Sequence, residues 1–123
     1  MAALRTLPEA LAAAARTTAG FCFVAGDTDR WRPYADIRQA SLRVARSLRE
    51  AGLRRGDLVA LVLPDGEQFL EALFGSSIAG VTPASLYPPA TTGELSRYFD
   101  VTSAILRASG ARAVVTTLQR RPI

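Results

Sequence analysis

Lysine and histidine are both absent from this sequence, and each absence removes a class of chemistry. Without histidine there is no Ser-His-Asp triad and no imidazole general base. No Walker-type loop or Rossmann glycine fingerprint is present either, since Gly75, Gly80 and Gly93 have the wrong spacing and setting. The single cysteine, Cys22, has no partner, so there is no disulfide framework and no metal-ligand spacing. It falls in an apolar strand-like run without a neighbouring base, which reads as an inert buried thiol and not a nucleophile. No apolar run approaches the length of a membrane span. The N-terminus carries Arg5, Pro8 and Glu9 around a short alanine run, too weakly apolar for a signal peptide, so a cytoplasmic setting without membrane contact is expected.

What is present is the composition of a folded globule: 49% hydrophobic, 21% charged, and enough chain for one core. All 15 basic residues are arginine and the net charge is +4, which reads as the bias of a GC-rich genome. Arg38, Arg43, Arg46 and Arg49 fall on the outward side of one helical pattern. No aromatic residues interleave with them, so they read as a solvated face and nucleic acid is not expected as a partner.

The chain is organised around residues 56–89. Leu58 to Leu63 is an unbroken apolar run between Gly56-Asp57 and Pro64-Asp65-Gly66, the pattern of a parallel strand buried on both faces. The period then becomes helical. Phe69, Leu70, Leu73, Phe74, Ser77 and Ile78 form one stripe with Glu67, Gln68, Glu71 and Ser76 off it, Asp65 placed to cap the start and Gly80 to close the end. Val81 to Tyr87 supplies the next strand, ended by Pro88-Pro89, which makes a crossover between neighbouring parallel strands.

Before this unit, Leu4 to Arg16 reads as a helix and Phe21 to Ala25 as a strand that turns through Gly26-Asp27-Thr28-Asp29 into Arg30 to Pro33, a hairpin. Trp31 is read as covering the adjacent helix and not as a substrate-stacking aromatic. Tyr34 to Ala51 is helical, with Ile37, Ala40, Val44, Leu48 and Ala51 inward and Gly52 as its left-handed cap, and Pro33 offers no side-chain cap at its start. After the unit, Thr91-x-x-Glu94 matches a capping box. Leu95, Phe99, Thr102, Ile105 and Leu106 form the stripe of the helix that follows, Gly110 ends it, and Ala111 to Thr117 is a third strand.

The order Gly52-Leu53-x-x-Gly56-Asp57-x-Val59-Ala60, apolar strand, amphipathic helix, Ala79-Gly80, then Leu86-Tyr87-Pro88-Pro89 resembles the N-terminal region of adenylate-forming (AMP-binding) enzymes. With Arg112-Ala-Val-Val-Thr-Thr it looks most like fatty acyl-AMP ligases and acyl-CoA synthetases. The resemblance covers about residues 5–117, and it implies α/β architecture: a partial parallel sheet with flanking helices, preceded by a helix and a β-hairpin. Residues 1–123 are then expected to be one incomplete α/β domain, with 118–123 an unstructured tail of out-of-frame or boundary residues from an interrupted reading frame.

For the parent family the resemblance implies ATP and Mg as cofactors and, as partners, a fatty acid with CoA or an acyl carrier. The family's Ser/Thr/Gly-rich phosphate loop ending in Pro-Lys-Gly has no counterpart here, and a chain without lysine lacks the family's catalytic lysine. No catalytic, cofactor-binding or metal residue is therefore assigned. Weaker candidates are Ser85, Tyr87, Thr116 and Thr117, near the carboxyl ends of parallel strands where such sheets bind ligands; a structural role is preferred for each. Asp57 precedes its strand and lies at the wrong end for a catalytic carboxylate. The expected function is an inactive N-terminal fragment of a carboxylate-activating ligase. The alternative is a non-catalytic interaction module docking on a ligase or a carrier protein. As nucleic acid is not expected to bind, retention on immobilised DNA should be absent or insensitive to salt; retention that falls steeply as salt rises would reverse that expectation.

Overall fold

The computed structural model describes residues 6–86 and 95–116. Its elements in order are α1 (Leu7–Ala14), β1 (Gly20–Ala25), β2 (Thr28–Pro33), α2 (Tyr34–Glu50), β3 (Leu58–Val62), α3 (Gly66–Ala79), β4 (Thr82–Ser85), α4 (Leu95–Ser109) and β5 (Ala113–Thr116). The α/β class, the leading helix and hairpin and the flanked parallel sheet all match expectation. The Pro88-Pro89 stop, the capping box at Thr91 and Glu94, and the tail at 118–123 lie outside the described residues.

Helix α1 ends earlier than expected, at Ala14, and the expected start at Leu4 lies outside the described residues. Thr6 caps it, its hydroxyl accepting the Glu9 N–H at 3.2 Å with Pro8 in the first turn, and at the other end the Thr17 hydroxyl donates to the Ala14 carbonyl at 2.7 Å. Only Leu11 is buried in it, and Leu7 is exposed. Strands β1 and β2 pair antiparallel from Gly20↔Pro33 to Ala25↔Thr28. Helix α2 starts after Pro33 with no side-chain cap, as the sequence implied, and turns inward Ile37, Ala40, Ser41, Ala45 and Leu48.

The three parallel strands lie in the order β4-β3-β5, with Leu58↔Thr82 through Leu61↔Ser85 on one side of β3 and Val59↔Ala113 through Val62↔Thr116 on the other. The chain therefore leaves β3 in one direction and returns past it to reach β5. With right-handed crossovers such a reversal places successive helices on opposite faces of a sheet. Val59 and Leu61 on one face of β3 are fully buried against Ala45 and Leu48 of α2 and Ala72 and Ala79 of α3, joined by Val81. Ala113 and Val115 of β5 pack on this cluster, while Val114, on the alternate face, is exposed.

The burial of α3 corrects the sequence reading. Asp65 does cap it, accepting the Gln68 N–H at 3.0 Å, and Gly80 does close it in the left-handed region at φ 79°. The large residues Phe69, Leu70, Leu73, Phe74 and Ile78, expected as the buried stripe, are only half-buried. The fully buried set is Ala72, Gly75, Ser76 and Ala79, a small-residue face against α2, and Ser76, expected on the polar side, has no exposed surface. Its hydroxyl donates to the Ala72 carbonyl at 2.7 Å, so burial leaves no polar atom unpaired. A small face permits close approach. A Cβ on Gly75 would lie 2.6 Å from Val44 Cβ and 2.8 Å from the Ser41 carbonyl oxygen.

That contact predicts opposite outcomes for two glycines of one helix. Gly75→Ala should lower stability by about 1–3 kcal/mol despite alanine's better helix propensity, with Val44→Ala recovering part of the loss. Gly66→Ala, whose Cβ would meet only Phe23 ring atoms at 3.8 Å, should be neutral or gain up to about 1 kcal/mol. Urea melts of the two variants measure the difference.

Candidate functional site

Open α/β sheets bind ligands beyond the carboxyl ends of their strands, where the strand order reverses, here between β3 and β5. Three groups converge on that end. Asp65 and the first turn of α3 follow β3, Thr116 ends β5, and Ser85 ends β4 opposite Leu61. Tyr87 and Thr117, the other two candidates, lie outside the described residues.

The polar groups at this end are engaged in holding the fold. The Thr116 hydroxyl donates to the Val62 carbonyl at 3.0 Å, tying the two strand ends together. The Asp65 carboxylate takes an amide of the first turn of α3, so the positive end of that helix is already neutralised by its own chain. Ser85 is exposed, and its following amide, on Leu86, continues the ladder to the Leu61 carbonyl at 2.9 Å. At the opposite end Asp57 accepts the Arg54 amide at 2.8 Å, and its own carbonyl accepts from Thr82, which makes it a turn residue.

Two readings of the hairpin are overturned. Cys22 is exposed, not buried, and Trp31 is 55% exposed instead of covering a helix. Strand parity explains both. Cys22 and Trp31 are register partners on one face, while Phe21 and Phe23 alternate onto the other, where Phe21 meets Tyr34 edge-on at 4.9 Å.

On the hairpin is also the group that sequence reasoning missed. Arg32, register partner of Phe21, sends Nη1 to Glu67 Oε1 at 2.8 Å and to Glu71 Oε2 at 3.3 Å, and Arg30 Nε reaches the same Glu67 oxygen at 3.1 Å. The side chain of Arg32 is 16% exposed, so this is a largely covered clamp between the hairpin and α3. The sequence pattern places Glu67 and Glu71 only on the polar side of α3, off its apolar stripe. The available signal was their spacing of one helical turn, facing two arginines at a strand spacing of two. The hydrogen bond to Glu67 raises the Arg32 pKa; burial opposes this, and Glu71 adds to it. A raised pKa on a cation gives stabilisation that is complete below the ordinary arginine value and lost only above it, so Arg32 contributes throughout the neutral range.

The described residues do not fit ATP with Mg. Among them no group of three or more His, Cys, Asp or Glu is placed to hold a metal ion, no lysine exists to meet a phosphate, and the start of α3 at the sheet's carboxyl end carries its own carboxylate. Among the described residues no helix is long and apolar enough to cross a membrane.

A partial doubly wound α/β layer, framed by a helix and a hairpin, is thus the class of structure this chain defines. The family described as AMP-binding enzyme matches residues 10–122, and the chain belongs to that family of adenylate-forming ligases. It is 32% identical over 95 residues to 4-coumarate-CoA ligase 1 of Narcissus pseudonarcissus, covering 77% of this chain and 16% of that protein. To a putative acyl-CoA synthetase of Caulobacter vibrioides it is 30% identical over 112 residues, covering 89% of this chain and 20% of that one. Among solved structures, one from work on the fatty acyl-adenylate ligases of E. coli and L. pneumophila superposes with a TM-score of 0.85 at 26% identity, covering 92% of this chain and 21% of the other. The chain thus spans about a fifth or less of the length of these relatives.

If the Arg32 clamp seats the hairpin, Arg32→Met should cost about 1–2 kcal/mol, because it leaves two carboxylates facing a partly covered surface. Arg32→Lys should recover only part of this, one ammonium being unable to reproduce the planar fork. Denaturant midpoints, with the fluorescence of Trp31 as reporter of the hairpin, test both.

Proposed function

We propose that residues 1–123 form the N-terminal α/β portion of a fatty acyl-AMP ligase or acyl-CoA ligase, part of one AMP-binding domain, and that this portion supplies structure and not chemistry. The whole enzyme would join a carboxylate to the α-phosphate of ATP with release of pyrophosphate, using magnesium, before passing the acyl group to CoA or a carrier. The superposition on a fatty acyl-adenylate ligase over 92% of the chain carries this reading. In that role α2, α3 and β3 provide a rigid wall, the clamp at Arg32 fixes the hairpin to it, and a cytoplasmic setting suits the use of ATP.

The surfaces left open support the reading. Helix α4 has Val101 and Ile105 exposed, and Val114 on β5 lies open as well, while β5 pairs with β3 alone among the described strands. Uncovered apolar residues on a helix and an edge strand suit a surface that further chain covers.

Two measurements test the proposal. The chain alone should give no ATP–pyrophosphate exchange above the acid-free blank with fatty acids of varied length; clear exchange would mean that it carries chemistry of its own. A dye that reports exposed apolar surface should brighten strongly with the native chain. A cooperative melt from a monomer that leaves the dye dark would favour the interaction module instead.

A further inference from the structure

Two clefts open along the same side of α2. The first, about 600 Å³, lies between α1 and the start of α2, where Ala12, Ala13 and Ala35 are flanked by Arg16 and Arg38. The second, about 380 Å³, lies towards the other end, where Leu42, Ala45 and Ile78 are flanked by Arg46 and Arg49. Ala35, Arg38, Leu42, Ala45 and Arg49 recur at three or four residues, so they form one row along the helix that lines both clefts in turn. From Ala35 to Arg49 the row runs roughly 20 Å at 1.5 Å per residue, the length of a helix of three to four turns.

Its positive charge is only partly offset from within. Among the described residues ion pairs join only Arg30 and Arg32 to Glu67 and Glu71. Arg16, Arg38 and Arg46 have no acidic partner there, and Arg49 makes only a 3.5 Å bond to the Ile78 carbonyl. Glu9 and Glu50 are the acids of the two clefts, against four arginines. The apolar strip is accessible as well, for Leu42 is 40% exposed in the middle of the row.

An apolar strip edged by guanidinium groups complements one kind of occupant. We propose that the groove along α2 docks an acidic amphipathic helix of a partner protein. Aliphatic residues at three- and four-residue spacing would meet Leu42 and Ile78, and carboxylates on either side would take the guanidinium forks of Arg38, Arg46 and Arg49. Single-stranded nucleic acid fits less well, since no aromatic residue along the row could stack a base, and the aliphatic centre at Leu42 suits an apolar side chain. The proposal does not depend on the ligase reading, since the groove is built from α1, α2 and α3 alone.

The test uses the whole chain and a fluorescein-labelled helical peptide four turns long, with leucine at the row spacing and glutamate on its flanks, followed by anisotropy. Saturable binding is expected. Arg46→Glu with Arg49→Glu should weaken it by about tenfold or more, and Leu42→Ser by several-fold. Arg43→Glu with Arg54→Glu, the same change in net charge off the row, should leave it unchanged. Circular dichroism verifies that each exposed substitution keeps the fold. The proposal is overturned if binding does not saturate, if a scrambled peptide of the same composition binds equally, or if the off-row pair weakens binding as much as the groove pair. Tighter binding of a DNA duplex or of phosphatidylserine vesicles, displacing the peptide, would also overturn it and assign the arginines to phosphate.

Discussion

The contact between α2 and α3 at Gly75 is the constraint on which the rest of the structure depends. Without a side chain there, α3 approaches α2 until the Gly75 backbone meets Val44 and the Ser41 carbonyl. The two serines beside this contact are fully buried, yet neither needs a partner across the interface: Ser41 donates to the Ile37 carbonyl and Ser76 to that of Ala72, each at 2.7 Å within its own helix. An interface of small residues and self-satisfied hydroxyls can close tightly because nothing polar is stranded in it. It also leaves the large side chains of α3 to other sides, and Phe69, Leu73 and Ile78 pack on the cluster around Val59 and Leu61.

The positions of the other parts follow from that. With α3 held against α2, the crossover from β3 to β4 has a defined height, and β3 becomes the central strand that organises β4 and β5. The hairpin is attached separately, through Arg32 bridging to Glu67 and Glu71 on the first two turns of α3 and through Phe21 against Tyr34. Two different forces therefore bind the N-terminal half to the sheet: van der Waals closeness along the helix pair, and a covered charge clamp at the hairpin.

The kinship with adenylate-forming ligases resides in this scaffold. Hydroxyls and a carboxylate do gather at the carboxyl end of the sheet, as the fold rule requires, but Thr116 and Asp65 are bonded within the fold. Their neighbours supply neither a lysine nor a cluster of metal ligands among the described residues. What the scaffold offers outward is of two kinds: an apolar region on α4 and β5, and an arginine-edged groove on α2.

Reading the chain by period and turn chemistry was enough for the order of elements, the hairpin, the parallel crossover, the Asp65 cap and the Gly80 closure, because each depends on neighbours within a few residues. Local patterns also sufficed to place Asp57 at the wrong end of its strand for chemistry. Burial was decided elsewhere. Large apolar residues mark an amphipathic face, yet α3 buries its small face most completely, since closeness to α2 is set by what the partner helix presents and no window of one helix contains that. Cys22 and Trp31 turned outward because the parity of the hairpin was settled by Phe21 and Phe23 finding the interior. The arginine clamp spans 35 and 39 residues of sequence; the spacing within each charged pair was legible, but which pair meets which was decided only when the fold brought β2 and α3 together.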